Sequence, residues 1–161
     1  MPVTLKDRST AVNIQSAAEQ FNFGVSSTKP MRTVFTAQSK AYFYCKDAIC
    51  EFVFNKNMLP VNPFMVFDYF LGDRVDRDLI RNANNQLISM CDELWVFGNI
   101  ANGVMFEILL AKSLQKSIRY FTIATKSSEI LEVSLKDLPF EDELALSEEQ
   151  IDAFLCLATT D

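Results

Sequence analysis

Apolar runs alternate with mixed stretches along most of the chain. MRTVFTA (31–37) is rich in β-branched and aromatic side chains, which predicts a buried strand. Residues 39–57 are long enough for a helix, although their aromatics are weak helix formers. MLPVNPF (58–64) predicts a second strand closing in a proline-asparagine turn, and MVFDYFLGD reads equally as a short helix or a loop lid. Over 75–91 Asp76 is placed to cap a helix in which Leu79, Ile80, Ala83, Leu87 and Met90 follow helical spacing. ELWVFG (93–98) predicts a strand stopping at glycine. The next helix starts near Asn102 as its cap, and IRYFTI (118–123) predicts a further strand. SEEQIDAFLCLA holds Ser147 and Gln150 at capping-box spacing.

This β-α-β-α-β-α-β order predicts an α/β fold: a flavodoxin-like three-layer sandwich around a parallel sheet of four or five strands. Residues 1–30 read as a polar arm with one short element at IQSAAEQF, and 31–161 as a single domain with an acidic C-terminal tail. In such sheets ligands bind beyond the carboxyl ends of the strands. Here those ends are Ala37–Ser39, Asn62–Phe64 and Gly98–Gly103.

Charge and composition narrow the chemistry. Residues 126–161 carry 10 acidic and 2 basic side chains, whereas 1–125 carry 11 and 13. The acidity belongs to the tail, which reads as a solvated face, and no dense basic stripe suggests duplex nucleic acid as a partner. The opening 15 residues lack an apolar signal block and no run approaches a membrane span, so a cytoplasmic protein without a membrane partner is expected. Cys45, Cys50, Cys91 and Cys156 form no C-x-x-C pair and sit among apolar neighbours, which suggests buried thiols. There are 0 histidines, which excludes Ser-His-Asp and Cys-His catalysis and histidine metal sites. No metal or cofactor is expected, and AQSKAY lacks the glycine-rich dinucleotide loop.

One carboxylate stands out. On a helix starting near Gly103, Lys112, Gln115 and Lys116 mark the wet side, with Leu110, Leu114 and Gly103 opposite. Glu107 falls within about 50° of that apolar centre, so it points toward the sheet near the crevice. Burial raises a carboxyl pKa and a helix N-terminus lowers it. Gly98, Asn99, Asn102 and Gly103 form a small-residue loop that lets another molecule approach. Glu107 is therefore either a nucleophile or ligand acceptor, or a structural carboxylate that pairs with an arginine such as Arg77 or Arg81 or merely complements the helix dipole. Arg77 and Arg81 share a face and fit a phosphate or ion pairs with nearby aspartates. Ser39 fits an ordinary cap or a phosphate contact. Asp68 and Tyr69 offer polar contacts if their segment closes over the crevice, and plain core packing otherwise.

The stretch CDELWVFGNIANGVMFEILLAKSLQKSIRYF, with TVFTA at 33–37, resembles the nucleoside 2-deoxyribosyltransferase-like superfamily over roughly residues 31–123. That family carries Gly-x-x-x-Glu at a helix start followed by a small residue; here these are Gly103, Glu107 and Ala111. The resemblance implies a nucleoside or nucleotide as small-molecule partner. It also implies an N-glycosidase or deoxyribosyltransferase-like enzyme that cleaves an N-glycosidic bond: Glu107 attacks the anomeric carbon to form a glycosyl-glutamate, as in retaining glycosidases, and water or another base resolves it. It places Phe35 and Ala37 of the first strand at the substrate and implies self-association, with weak support from the aromatic residues 41–54. Phe35 stands where the family has tyrosine, and Ala101 and Asn84 stand where it has aspartates. Asn62, Asn84, Asn99 and Asn102 remain as amides that can bind a ribose or base but cannot transfer a proton. The alternative is a non-catalytic nucleotide- or signal-binding domain of the same fold. Phosphoribohydrolases related to lysine-decarboxylase-like proteins also place a glutamate after a glycine-rich turn, but their double glycine is absent here.

Overall fold

Strands β1 (Thr33–Gln38), β2 (Leu59–Val61), β3 (Glu93–Phe97), β4 (Ser117–Phe121) and β5 (Glu132–Val133) pair in the order β2-β1-β3-β4-β5. The computed structural model describes residues 12–23, 29–67, 71 and 73–159. The first four strands are parallel, with Phe35 opposite both Val61 and Leu94, and Leu94 opposite Ile118. The two-residue β5 runs antiparallel to β4, which amends the expected all-parallel sheet. Pro60 is tolerated because β2 is an edge strand, where a missing N–H costs no interior ladder bond.

Helix α2 (Lys46–Asn55) follows β1 after a 3₁₀ turn over Lys40–Cys45, so the aromatic first third of 39–57 is not α-helical. The short α3 (Pro63–Val66) follows β2, α4 (Arg77–Met90) precedes β3, α5 (Asn102–Ser113) joins β3 to β4, and α6 (Glu148–Thr159) ends the described chain. Side chains alternate across the sheet, as strand pleating requires. Val34, Trp95, Phe97 and Phe121 pack with Ile49, Phe52 and Val53 of α2. Phe35, Ala37, Leu94 and Val96 pack on the other face with Ile88, Val104, Ile108, Ala111 and Phe154 of α4, α5 and α6. The result is a flavodoxin-like three-layer α/β sandwich. On the α2 face three rings crowd Phe121: Phe97 stacks at 5.0 Å, Trp95 tilts at 5.0 Å and Phe52 meets it edge-on at 5.1 Å. Contacts of this kind add about 1 kcal/mol each beyond area burial.

Several local expectations are corrected. Ala101, not Asn102, occupies the N-cap of α5, and no side chain caps it. The face of α5 that meets the core is Val104, Ile108 and Ala111, while Leu114 and Gly103 are exposed. On α4 the buried anchor is Ile88, and Leu79 and Met90 are exposed. Cys45 and Cys91 are buried, but Cys156 is exposed. Asp76 does cap α4, accepting from Asp78 N at 2.8 Å, and Ser147 and Gln150 make both bonds of the capping box.

The chain divides into two units, Met1–Pro30 and Met31–Asp161. Within the first, helix α1 (Ile14–Phe21) is capped by Asn13 Oδ1, ends in Asn22 at φ 55° and buries none of its residues. Asp68 and Tyr69 lie outside the described residues. No helix among the described residues is long and apolar enough to cross a membrane.

Candidate active site

β1 lies between β2 and β3: the chain passes from β1 to β2 on one side, then crosses over to β3 on the other. The segments leaving β1 and β3 therefore diverge, and a crevice opens between them. A hollow of about 470 Å³ occupies it, reached by Gln38 at the end of β1 and Ser39 and Lys40 just after it, by the start of α5, and by Glu141 and Glu143 from the tail. A second hollow of about 570 Å³ lies along Arg81, Asn84 and Asn85 of α4. Asn102, Gly103 and Glu107 line both, so the first turns of α5 form a shared wall.

The sequence places Glu107 there by spacing. Val104, Ile108 and Ala111 bury one face of α5, and position 107 falls on the flank of that face, three residues after Val104 and four before Ala111. The side chain is half-buried and opens to both hollows, with its carboxyl partly withdrawn from water. Desolvation pushes it up to about 8. Neutral Glu107 thus dominates at pH 7 by about tenfold. Residue 107 lies in the second turn of α5, beyond the reach of its N-terminal field, so the opposing dipole effect does not offset burial. Arg81, a partner considered for it, instead bonds Asp78 at 2.8 Å on the open surface. Among the described residues, no hydrogen bond or ion pair holds Glu107.

The surroundings are polar and partly unsatisfied. The first intrahelical bond of α5 runs from Met105 N to Ala101 O at 2.9 Å, leaving the N–H groups of Asn102, Gly103 and Val104 for other partners. A Cβ built at Gly103 meets nothing within 4 Å, so this glycine borders open space. On the α4 side, the buried Oδ1 of Asn84 has no hydrogen-bond partner among the described residues. A buried acceptor left in that state costs about 1–3 kcal/mol, which a ligand donor would recover.

The remaining candidates divide into site and scaffold. Ser39 is buried beside the hollow; its Oγ accepts from Ala41 N at 3.2 Å and donates to a Glu141 carboxylate oxygen. Asn62 is buried and fully used: Nδ2 donates to Thr36 Oγ1 and Gln38 Oε1, both at 2.8 Å, and Oδ1 caps α3 at Phe64 N. It ties the ends of β1 and β2 together. Phe35 and Ala37 are sealed in the core on the α5 side. Gly98 is buried at φ 75°, and a Cβ there would meet Ile123 Cγ2 at 2.5 Å, so its role is a tight turn. Asn99 borders a third hollow of about 590 Å³ beside the 139–143 segment. Arg77 is exposed at the first position of α4. Gln38, Lys40, Asn85, Glu141 and Glu143 escaped the sequence reading. The two tail glutamates sit in a charge run that local pattern assigns to solvent. Their placement depends on Ile100 pairing with Phe140, a contact between segments 40 residues apart.

Among the described residues no group of three or more His, Cys, Asp or Glu side chains is arranged to hold a metal ion. The family model described as "Domain of unknown function (DUF7768)" matches residues 32–121. No curated protein matches the chain.

Proposed function

The chain belongs to the DUF7768 family, whose description names no activity, and we propose from the site that it cleaves the N-glycosidic bond of a nucleoside or nucleotide in the cytoplasm, through a covalent glycosyl-glutamate at Glu107. The observation that carries this reading is a desolvated carboxyl, unpaired within the described residues, on the wall between two hollows at the switch point of the sheet. Desolvation strips the ionised form of its hydration, which strengthens its attack on an electron-poor anomeric carbon. The departing base leaves positive charge on the sugar, and a carboxylate beneath the ring stabilises it before bonding. Gly103 leaves room for the sugar, and Asn84 Oδ1 offers an acceptor for one of its hydroxyls. Glu141 and Glu143 outnumber Lys40 around the first hollow, which disfavours a phosphate there and leaves Arg81 of the second hollow as the cation for one.

The test is incubation with a panel of nucleosides and nucleoside monophosphates, followed by chromatography for free base. Base release that Glu107→Gln abolishes supports the reading. Saturable binding without release would replace it with a non-catalytic binding domain, a role that fits a carboxyl neutral at pH 7. The same reading includes self-association, for which the exposed Tyr44 and Phe54 are the candidate contacts. A monomer by light scattering at micromolar concentration would remove that part.

A further inference from the structure

Cleaving an N-glycosidic bond needs more than a nucleophile. The leaving nitrogen needs a proton, and the water that resolves the intermediate must lose one. The amides at Asn84 and Asn102 cannot supply either, and neither Phe35 nor Ala101 carries an ionisable group. A second carboxyl does reach the hollow, from the acidic tail.

Glu141 is held from both sides of the switch point. Its N–H donates to Ile100 O at 3.0 Å, and Ile100 N donates to Pro139 O at 2.8 Å, so residues 139–141 run as a short parallel bridge along the segment after β3. Phe140 packs edge-on against Phe154 of α6 at 5.8 Å, anchoring the bridge from behind. From the β1 side Ser39 Oγ donates to the Glu141 carboxylate. Its neighbour Glu143 borders the same hollow but is exposed, and no hydrogen bond among the described residues holds its side chain. Glu141 is thus a carboxylate fixed by a donor, and Glu107 is one without a donor. Both line one cavity with Lys40 as the cation beside them.

We propose that Glu141 is the acid–base partner of Glu107, a role that rests on the glycosidase reading above. In the first step the Glu107 proton passes to the Glu141 carboxylate across the hollow, which charges the nucleophile and arms the acid together. The Glu107 carboxylate then forms a C–O bond to the anomeric carbon as the C–N bond breaks, and Glu141 gives its proton to the leaving nitrogen. In the second step Glu141 takes a proton from water, the water oxygen bonds to the anomeric carbon, and the ester bond breaks with its electron pair returning to Glu107. The sum is nucleoside plus water giving free sugar plus free base.

The test uses the full chain as wild type, Glu141→Gln and Glu141→Asp. Substrates are guanosine, 2′-deoxyguanosine and their 5′-monophosphates, each with its N7-methylated counterpart. Methylation makes the base a cationic leaving group that needs no proton. Base release is followed by chromatography, adducts by intact mass and folding by circular dichroism. The expectation is that Glu141→Gln slows the unmethylated substrates by roughly 10²–10⁴-fold. With the methylated ones, whose base needs no proton, the first turnover at pH 7 should slow only by about tenfold, the share of Glu107 that is ionised without its acceptor, and then stall with one glycosyl group on the chain, which added azide discharges. Glu141→Asp, which keeps a carboxyl, should retain part of both rates. Equal slowing of methylated and unmethylated substrates, or no slowing, overturns the assignment while leaving Glu107 in place. Wild-type protein that releases no base from any of these substrates sinks the glycosidase reading, and the Glu141 role with it.

Discussion

Glu107→Gln separates a desolvated carboxyl from an ordinary surface one without any knowledge of the substrate. Burial moves this group from an ordinary value of 4.5 to about 8 in the folded chain. The unfolded chain ionises it near the lower value, so between the two the folded state holds a proton that the unfolded state has released. Stability from this group is therefore complete below about pH 4.5 and declines as pH rises, until it is lost above about 8. From pH 5 to pH 8 the linkage amounts to about 3 kcal/mol at about 1.36 kcal/mol per pH unit. The hollows on either side admit water to the carboxyl, which brings the expected figure to about 2 kcal/mol. Glutamine keeps the shape and titrates nowhere, so the variant loses this slope. Urea unfolding of both proteins at pH 5 and pH 8 measures the effect, since all other titrating groups cancel in the difference. The variant should gain about 2 kcal/mol on the wild type across that interval. If the difference between the two proteins is the same at both pH values, the carboxyl is solvated in the folded state and the site argument loses its foundation.

Three further outcomes follow from the geometry. Gly98→Ala puts a methyl 2.5 Å from Ile123 Cγ2 on a backbone at φ 75° and should cost about 2–4 kcal/mol, read as a lowered urea midpoint; an unchanged midpoint would mean the turn has another conformation. Gly103→Ala meets no protein atom within 4 Å, so stability should hold or rise by about 0.5 kcal/mol. Its methyl intrudes on the hollows, and base release should fall through a raised KM; unaltered kinetics would place the substrate elsewhere. For the glycosidase, kcat/KM should fall as pH rises through about 8, because Glu107 in the free protein then loses the proton destined for the leaving base. A rate that climbs across that range would assign proton delivery to solvent.

The order of elements is local information, and it was readable. Apolar β-branched runs, the Asp76 cap and the Ser147–Gln150 box depend on neighbours a few residues apart, so their physics is complete within a short window. From that order came the three-layer sandwich and the rim where the strands end. Glu107 was singled out on the same local basis, as a charge among apolar residues near a helix start. The face arithmetic, however, centred α5 on Leu110 and Leu114 rather than on Val104, Ile108 and Ala111. The error arises because α5 is apolar nearly all round, and which side is buried depends on α4, α6 and the sheet rather than on the helix itself.

The amino-acid order by itself determined the alternating elements, the mostly parallel sheet at their centre and the exclusion of histidine from any site. Tertiary structure alone decided what surrounds Glu107. Asn62 went to scaffold because the ends of β1 and β2 converge on it. Asn84 was left with a buried acceptor because α4 packs beside α5. Glu141, one acid in a charged run, entered the crevice because Ile100 bonds to the backbone on both sides of Phe140. Hydrogen bonds between distant segments and the desolvation they enforce are set by chain closure, and no local window of the sequence contains them.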